Sequence, residues 1–212
     1  MSAQQFAQSE RHSLADLLDE LGPEAPTLCA GWTTRDLTAH LLIREDRPDA
    51  ALGILGGPLA SYSESVQNRA ADRPFTDNVN RVRNGPSAFS IFRIPGIDGA
   101  VNLMEYLVHH EDVRRASDDW QPRVLTDEEQ DLVWSRLSRL SRLMVRKVPV
   151  GVVLRRSDTN ATIIARKGTP IVEVEGLPVE LALRLYGREA VNVTYTGSPE
   201  DIAAFNASPM GA

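Results

Sequence analysis

Up to Val148-Pro149 the apolar residues recur at helical intervals; beyond it they crowd into short β-rich runs broken by turn residues. A helical stripe buries itself against other helices, whereas alternating strands must pair into a sheet, so one uniform architecture cannot serve both stretches. The change of texture predicts an α+β chain, with a helical region over 1–148 and a small α+β region over 149–212. The boundary falls at 148–151, and at 212 residues each part is long enough to bury apolar surface.

In the helical region, Phe6, Leu14, Leu17, Leu18 and Leu21 mark a first helix from Gln5, stopped by Gly22-Pro23. Thr33 is a candidate N-cap with Asp36 three positions on, in a capping-box arrangement. The helix it starts presents Leu37, His40, Leu41 and Arg44 along one side. Small and polar residues from Gly53 to Ala71 read as a helix end and a loop, and Gly85-Pro86 must interrupt any helix within Thr76–Phe92. A further helix runs from Asp98 to Ser117. Another begins at Thr126, with acids in its first turn and bases in its last, as the helix dipole favours. After the boundary, strands are expected in "GVVLRRS", "ATIIARK", "PIVEVEG" and "AVNVTYTG", and short helices in "LPVELALRLYGR" and "SPEDIAAF".

Charge narrows the functional classes. A net charge of −6 opposes binding to a phosphate backbone, so no nucleic-acid partner is expected. No apolar run approaches the ~20 residues of a membrane span, and the N-terminus lacks a signal pattern. The single cysteine, Cys29, can form no internal disulfide. The expectation is a cytoplasmic protein, monomeric or homodimeric, with no membrane partner.

One segment breaks the apolar pattern: "MEYLVHHEDVRRA", Met104 to Ala116. At about 100° per residue, Glu105, His109 and Asp112 fall within an arc of roughly 60°, while His110 points elsewhere, near Tyr106 and Val113. Such a stripe suits a solvated face, because i,i+4 polar pairs are common on exposed helices, or else half of a site. His40 likewise suits a hydrogen-bonded core position or a ligand. A bundle can set His40 opposite the Glu105/His109 pair. Two imidazoles and one carboxylate suit zinc, or nickel or iron, and leave one coordination position open. Asp112 would then be a fourth ligand or would orient His109 from behind.

The segment Thr27–Leu41 and the later Glu105–Ala116 together resemble the mycothiol-dependent maleylpyruvate isomerase-like family, part of the DinB-like group of four-helix metal proteins. Gly31-Trp32, Arg35-Asp36-Leu37 and His40 match the first family motif; Glu105, His109 and Asp112 match the Glu-x-x-x-His-x-x-Asp helix. "VEGLPVELALRLYGR" resembles the C-terminal family segment ending in Gly187-Arg188. The resemblance implies an antiparallel four-helix bundle before the α+β part, and His40, Glu105 and His109 as metal ligands. It also implies a divalent ion, zinc first, that keeps the sulfur of mycothiol or a similar small thiol as thiolate for isomerisation or S-transfer on a small electrophilic substrate. Arg188 is implied as an anchor for an anionic substrate or cofactor; its plainer role is a helix C-terminal arginine facing the dipole.

Two departures stand out: the C-terminal region is short for a full sterol-carrier-like domain, and His110 stands where many relatives have glycine, opening a swap of ligand with His109. Rival functions are a non-catalytic metal- or small-ligand-binding protein, such as a sensor or regulator, and a bundle whose polar stripe is a buried charge network. Cys29 reads as a redox thiol or as a small buried hydrophobe, Trp32 as packing for its helix start, and His12 as an exposed residue.

Overall fold

The computed structural model describes residues 1–47, 60–86 and 97–210. The chain divides into two compact units, Met1–Gln121 and Pro122–Ala212. The first contains α1 (Ala3–Leu21), α2 (Thr34–Asp46), α3 (Ala60–Ala71), α4 (Phe75–Asn84) and α5 (Ile97–Arg114). The second contains α6 (Asp127–Met144), β1 (Gly151–Arg156), β2 (Thr162–Arg166), β3 (Ile171–Gly176), α7 (Pro178–Leu185), β4 (Thr194–Thr196) and α8 (Pro199–Asn206).

Local chemistry starts and stops these helices within a few residues of the expected bounds: α1 begins at Ala3 rather than Gln5, and α5 ends at Arg114 rather than Ser117. The Ser2 hydroxyl accepts from the Gln5 N–H at 3.2 Å, and the Gln5 side chain accepts from the Ser2 N–H at 2.8 Å. Gly22, at φ 75°, ends α1 in a conformation that side-chain-bearing residues rarely adopt. Asp36 accepts from both the N–H and the hydroxyl of Thr33, each at 2.9 Å, fixing the start of α2. α4 ends at Gly85, φ 79°, immediately before Pro86.

In the first unit α1 packs along α5, and α2 packs on α3 and α4. Leu14, Leu18, Leu37, Leu41, Val79, Val82 and Tyr106 form the core. Within the stretch expected to be a helix end and loop, Ala60–Ala71 is helical instead. Its sequence offers little apolar periodicity, but Val66, Ala70 and Ala71 bury against Ala39 and Ile43, and this packing outweighs weak intrinsic preference. The other parts of the 53–71 and 76–92 stretches lie outside the described residues.

The second unit is the α+β part, and it begins earlier than the change of sequence texture suggests. The amphipathic α6 belongs to it, contacting α7 and β2, so the division falls at Gln121/Pro122 rather than at 148–151. The sheet order is β2-β1-β3-β4, with β1/β2 and β3/β4 antiparallel and β1/β3 parallel. Val152, Leu154, Val172 and Val174 point to its buried face, while Arg155 and Glu173 pair at 2.8 Å on the other.

A buried ion pair ties the first unit together. Arg11 of α1 grips Glu45 of α2 through two nitrogens, at 2.8 and 2.5 Å. Glu45 also accepts from the Tyr106 hydroxyl at 2.8 Å and the Asn102 amide at 3.3 Å, both on α5. Removing one partner strands a charge away from water. Arg11→Met is therefore expected to lower the unfolding free energy by about 3–5 kcal/mol in urea titrations. Arg83→Met, which loses exposed pairs with Asp16 and Asp19 and an exposed hydrogen bond to Asn80, should lower it by less than about 1 kcal/mol.

Candidate metal centre

α2 and α5 bring together three residues that the sequence separates widely. His40 lies on α2, and Glu105 and His109 lie one turn apart on α5. The Glu105 Oε1 atom is 3.2 Å from His40 Nε2 and 3.3 Å from His109 Nε2. The ligand atoms of the three all fall within 4.8 Å of one another. Two atoms bound tetrahedrally to one zinc ion at ~2.0–2.1 Å stand roughly 3.3 Å apart, which the two nitrogen–oxygen spacings match, so the donor set suits a divalent ion. His40 and His109 are buried, whereas the Glu105 side chain is 20% exposed, which leaves the group open to solvent on the glutamate side.

The oxygen at the centre is oversubscribed. Arg44 Nε lies 3.2 Å from the same Oε1 that both imidazoles face, so three nitrogens crowd an atom with two lone pairs. Arg44 in turn donates to Asn102 Oδ1 at 2.5 Å, which joins the group to the Glu45 network.

Asp112 settles on the far side of His109. Its Oδ2 is 2.9 Å from His109 Nδ1, and a carboxylate can only accept, so Nδ1 carries a proton; Nε2 faces Glu105 and, in the metal-free protein, donates to it when the ring is protonated. Cys29, half-buried on the loop before α2, donates its S–H to the same Asp112 oxygen at 3.2 Å. The loop is pinned there by the Leu28 N–H donating to the Asp112 carbonyl at 3.0 Å. Cys29, His109 and Asp112 thus form a second close group, but their hydrogen bonds explain its spacing. Trp32 packs on the core and sets its ring 5.0 Å from that of His40, whose Nδ1 is buried with no hydrogen-bond partner among the described residues.

The other candidates go elsewhere. His110 turns to α1, with Nδ1 3.0 Å from Glu10 Oε2, so the helical phase gives the cluster His109 alone. His12 is exposed. Arg188 lies in the second unit, just past α7, where its guanidinium donates to the Tyr186 carbonyl at 2.6 Å, the contact expected of an arginine facing a helix C-terminus. Sequence spacing pointed to Glu105, His109 and Asp112, but no motif signalled that Asn102 would hold Arg44.

The electrostatics divide the two histidines. Burial lowers the His40 pKa, and its hydrogen bond with Glu105 only partly opposes this. Burial also acts to lower His109, but Asp112, Cys29 and Glu105 outweigh it and hold the value well above the usual imidazole range. Burial acts to raise Glu105, yet the two imidazoles and Arg44 keep it well below the ordinary carboxylate range.

The fold and the cluster define a helical unit with a His/Glu/His group, followed by a small α+β unit. Comparison with known proteins shows what this class resembles: residues 7–90 match the family model "Mycothiol maleylpyruvate isomerase N-terminal domain". Two solved structures share the fold. A mutant of the mycothiol-dependent maleylpyruvate isomerase matches with TM-score 0.62 at 15% identity, covering 93% of this chain and 92% of that chain. A second structure of the mycothiol-dependent maleylpyruvate isomerase matches with TM-score 0.55 at 16% identity and the same coverage, 93% and 92%. The likeness extends into the C-terminal part that looked short in sequence. None of the curated proteins compared matches this chain.

In the metal-free protein, NMR titration of the imidazole C–H signals should place His109 above the ordinary value near 6.5 and His40 below it. The signs for stability are opposite. The contribution of His109 is complete below about pH 6.5 and is lost as pH rises through its folded value; that of His40 is lost as pH falls below about 6.5. Asp112→Asn should bring His109 down. Two histidines titrating together near 6.5 would contradict this electrostatic picture.

Proposed function

We propose that the chain is a divalent-metal enzyme, with zinc the first candidate, that uses a small thiol such as mycothiol to isomerise a small electrophile or transfer sulfur to it. The observation carrying this is the convergence of His40 Nε2, His109 Nε2 and Glu105 Oε1 at spacings that suit one ion. The match of residues 7–90 to the isomerase N-terminal domain supports the thiol and the electrophile as partners.

When bound, the ion would supply the positive charge that keeps a thiol sulfur anionic near neutral pH. The chain's own residues prepare the place. Asp112 is a positioning residue: by accepting from Nδ1 it fixes the His109 tautomer and aims Nε2. Arg44 neutralises part of the Glu105 charge and restrains that carboxylate. Trp32 covers His40 on one side, and the exposed flank of Glu105 is the side from which a thiol and an electrophile would enter. Arg188, by the C-terminal resemblance, would hold an anionic group of substrate or cofactor. The activity would operate in the cytoplasm, where thiols stay reduced, and no described helix is long and apolar enough to cross a membrane.

Elemental analysis of unchelated protein should find about one transition metal per chain. That metal should be lost in His40→Ala and His109→Ala, and Asp112→Ala should weaken its affinity by roughly 10–100-fold in a chelator competition. Loaded protein supplied with thiol should consume a conjugated cis-diacid electrophile, and Arg188→Ala should raise KM with metal content unchanged. A well-folded wild type that takes up no zinc would overturn the metalloenzyme reading. Bound metal without consumption of any electrophile would favour a sensor or regulator.

A further inference from the structure

Away from the histidine cluster, α2, α3 and α4 enclose a groove of about 310 Å³, near the lower end of the range of small-molecule sites. Its floor is aliphatic, including Ile43, Val66 and Ala70, all buried. Its rim carries Arg47, Arg69, Arg73 and Arg81 against a single carboxylate, Asp46. Four guanidiniums around one opening is a marked local excess in a chain whose net charge is −6.

Two of these arginines are already engaged: Arg81 pairs with Asp46 at 3.0 Å, and Arg47 donates to the Tyr62 hydroxyl at 2.8 Å. Arg69, in the last turn of α3, and Arg73, four residues on, are exposed and make no side-chain hydrogen bond or ion pair among the described residues. Arg69 closes α3 and Arg73 lies just past its end, and both line the groove, so an anion seated on this rim would draw on both charges. Guanidinium forks match the two oxygens of a carboxylate. Asp46 in the rim disfavours a dianion more than a monoanion, and the aliphatic floor gives a purely inorganic ion nothing to bury. The volume limits the apolar body to a short one.

We propose that this groove binds a small organic monocarboxylate with a short apolar tail, its carboxylate held by Arg69 and Arg73 and its tail on Ile43, Val66 and Ala70. None of the groove residues belongs to the His40/Glu105/His109 cluster, so the proposal stands independently of the metal reading.

Hexanoate is a suitable probe, with hexanol and inorganic phosphate as its apolar and charged halves. Titration of the full-length protein, followed by amide NMR, should shift resonances of α2, α3 and α4 with hexanoate, and more weakly with either control. The surface double variant Arg69→Glu/Arg73→Glu should weaken hexanoate by about tenfold or more, since each lost contact is a charge-assisted hydrogen bond. His40→Ala should leave the affinity unchanged, which separates the groove from carboxylate binding at a metal. Absence of hexanoate binding at millimolar concentration would overturn the proposal. So would indifference to the double charge reversal, loss in His40→Ala, or phosphate binding as tightly as hexanoate.

Discussion

A carboxylate buried as deeply as Glu45 is tolerable only if every lone pair finds a donor, and that demand organises the first unit. Arg11 reaches it from α1, and Tyr106 and Asn102 from α5, so three helices must meet in one register for the charge to be satisfied. The network does not end there. Asn102 uses its amide nitrogen on Glu45 and its oxygen on Arg44, and Arg44 touches Glu105. The geometry of the histidine cluster is therefore the far end of a polar chain that begins on α1.

This explains which parts could be read from the sequence. Glu105, His109 and Asp112 were legible because helical phase is local: their angular separation follows from the numbering alone. His40 gained meaning through its surrounding motif. Arg11 and Glu45 were invisible, because a charged residue on an amphipathic helix ordinarily faces water, and no spacing rule links positions 34 apart. The helicity of Ala60–Ala71 was hidden for a related reason, as it depends on Val66 and Ala70 finding Ile43 rather than on preferences within the segment. Periodicity likewise marked α6 as amphipathic without saying which unit its apolar face serves; its contacts with α7 and β2 decide that.

Cys29 shows how loop placement changes the meaning of a residue. In sequence it is a small hydrophobe or a reactive thiol. In the fold, the backbone bond from Leu28 to Asp112, with the Thr27 hydroxyl bonding within the loop, sets the thiol against the carboxylate that also holds His109. The two histidines end in unequal settings: His109 has both nitrogens engaged, while His40 has one nitrogen on Glu105 and packs its ring against Trp32 and His109. A shared fold at 15% identity does not convey such inequalities, which belong to this chain's own side chains.

The three-residue cluster is also assembled in two stages of very different range. Glu105 and His109 sit one turn apart and face one another through the coiling of α5 alone. His40 arrives only when the bundle closes, across 65 positions of sequence. A cation gripped by all three would bind the closed form far more tightly than the open one, and mass action would then draw the helices shut. The site would thus act as a latch on the bundle's folding: the local pair gives an ion its first foothold, and closure brings the third ligand.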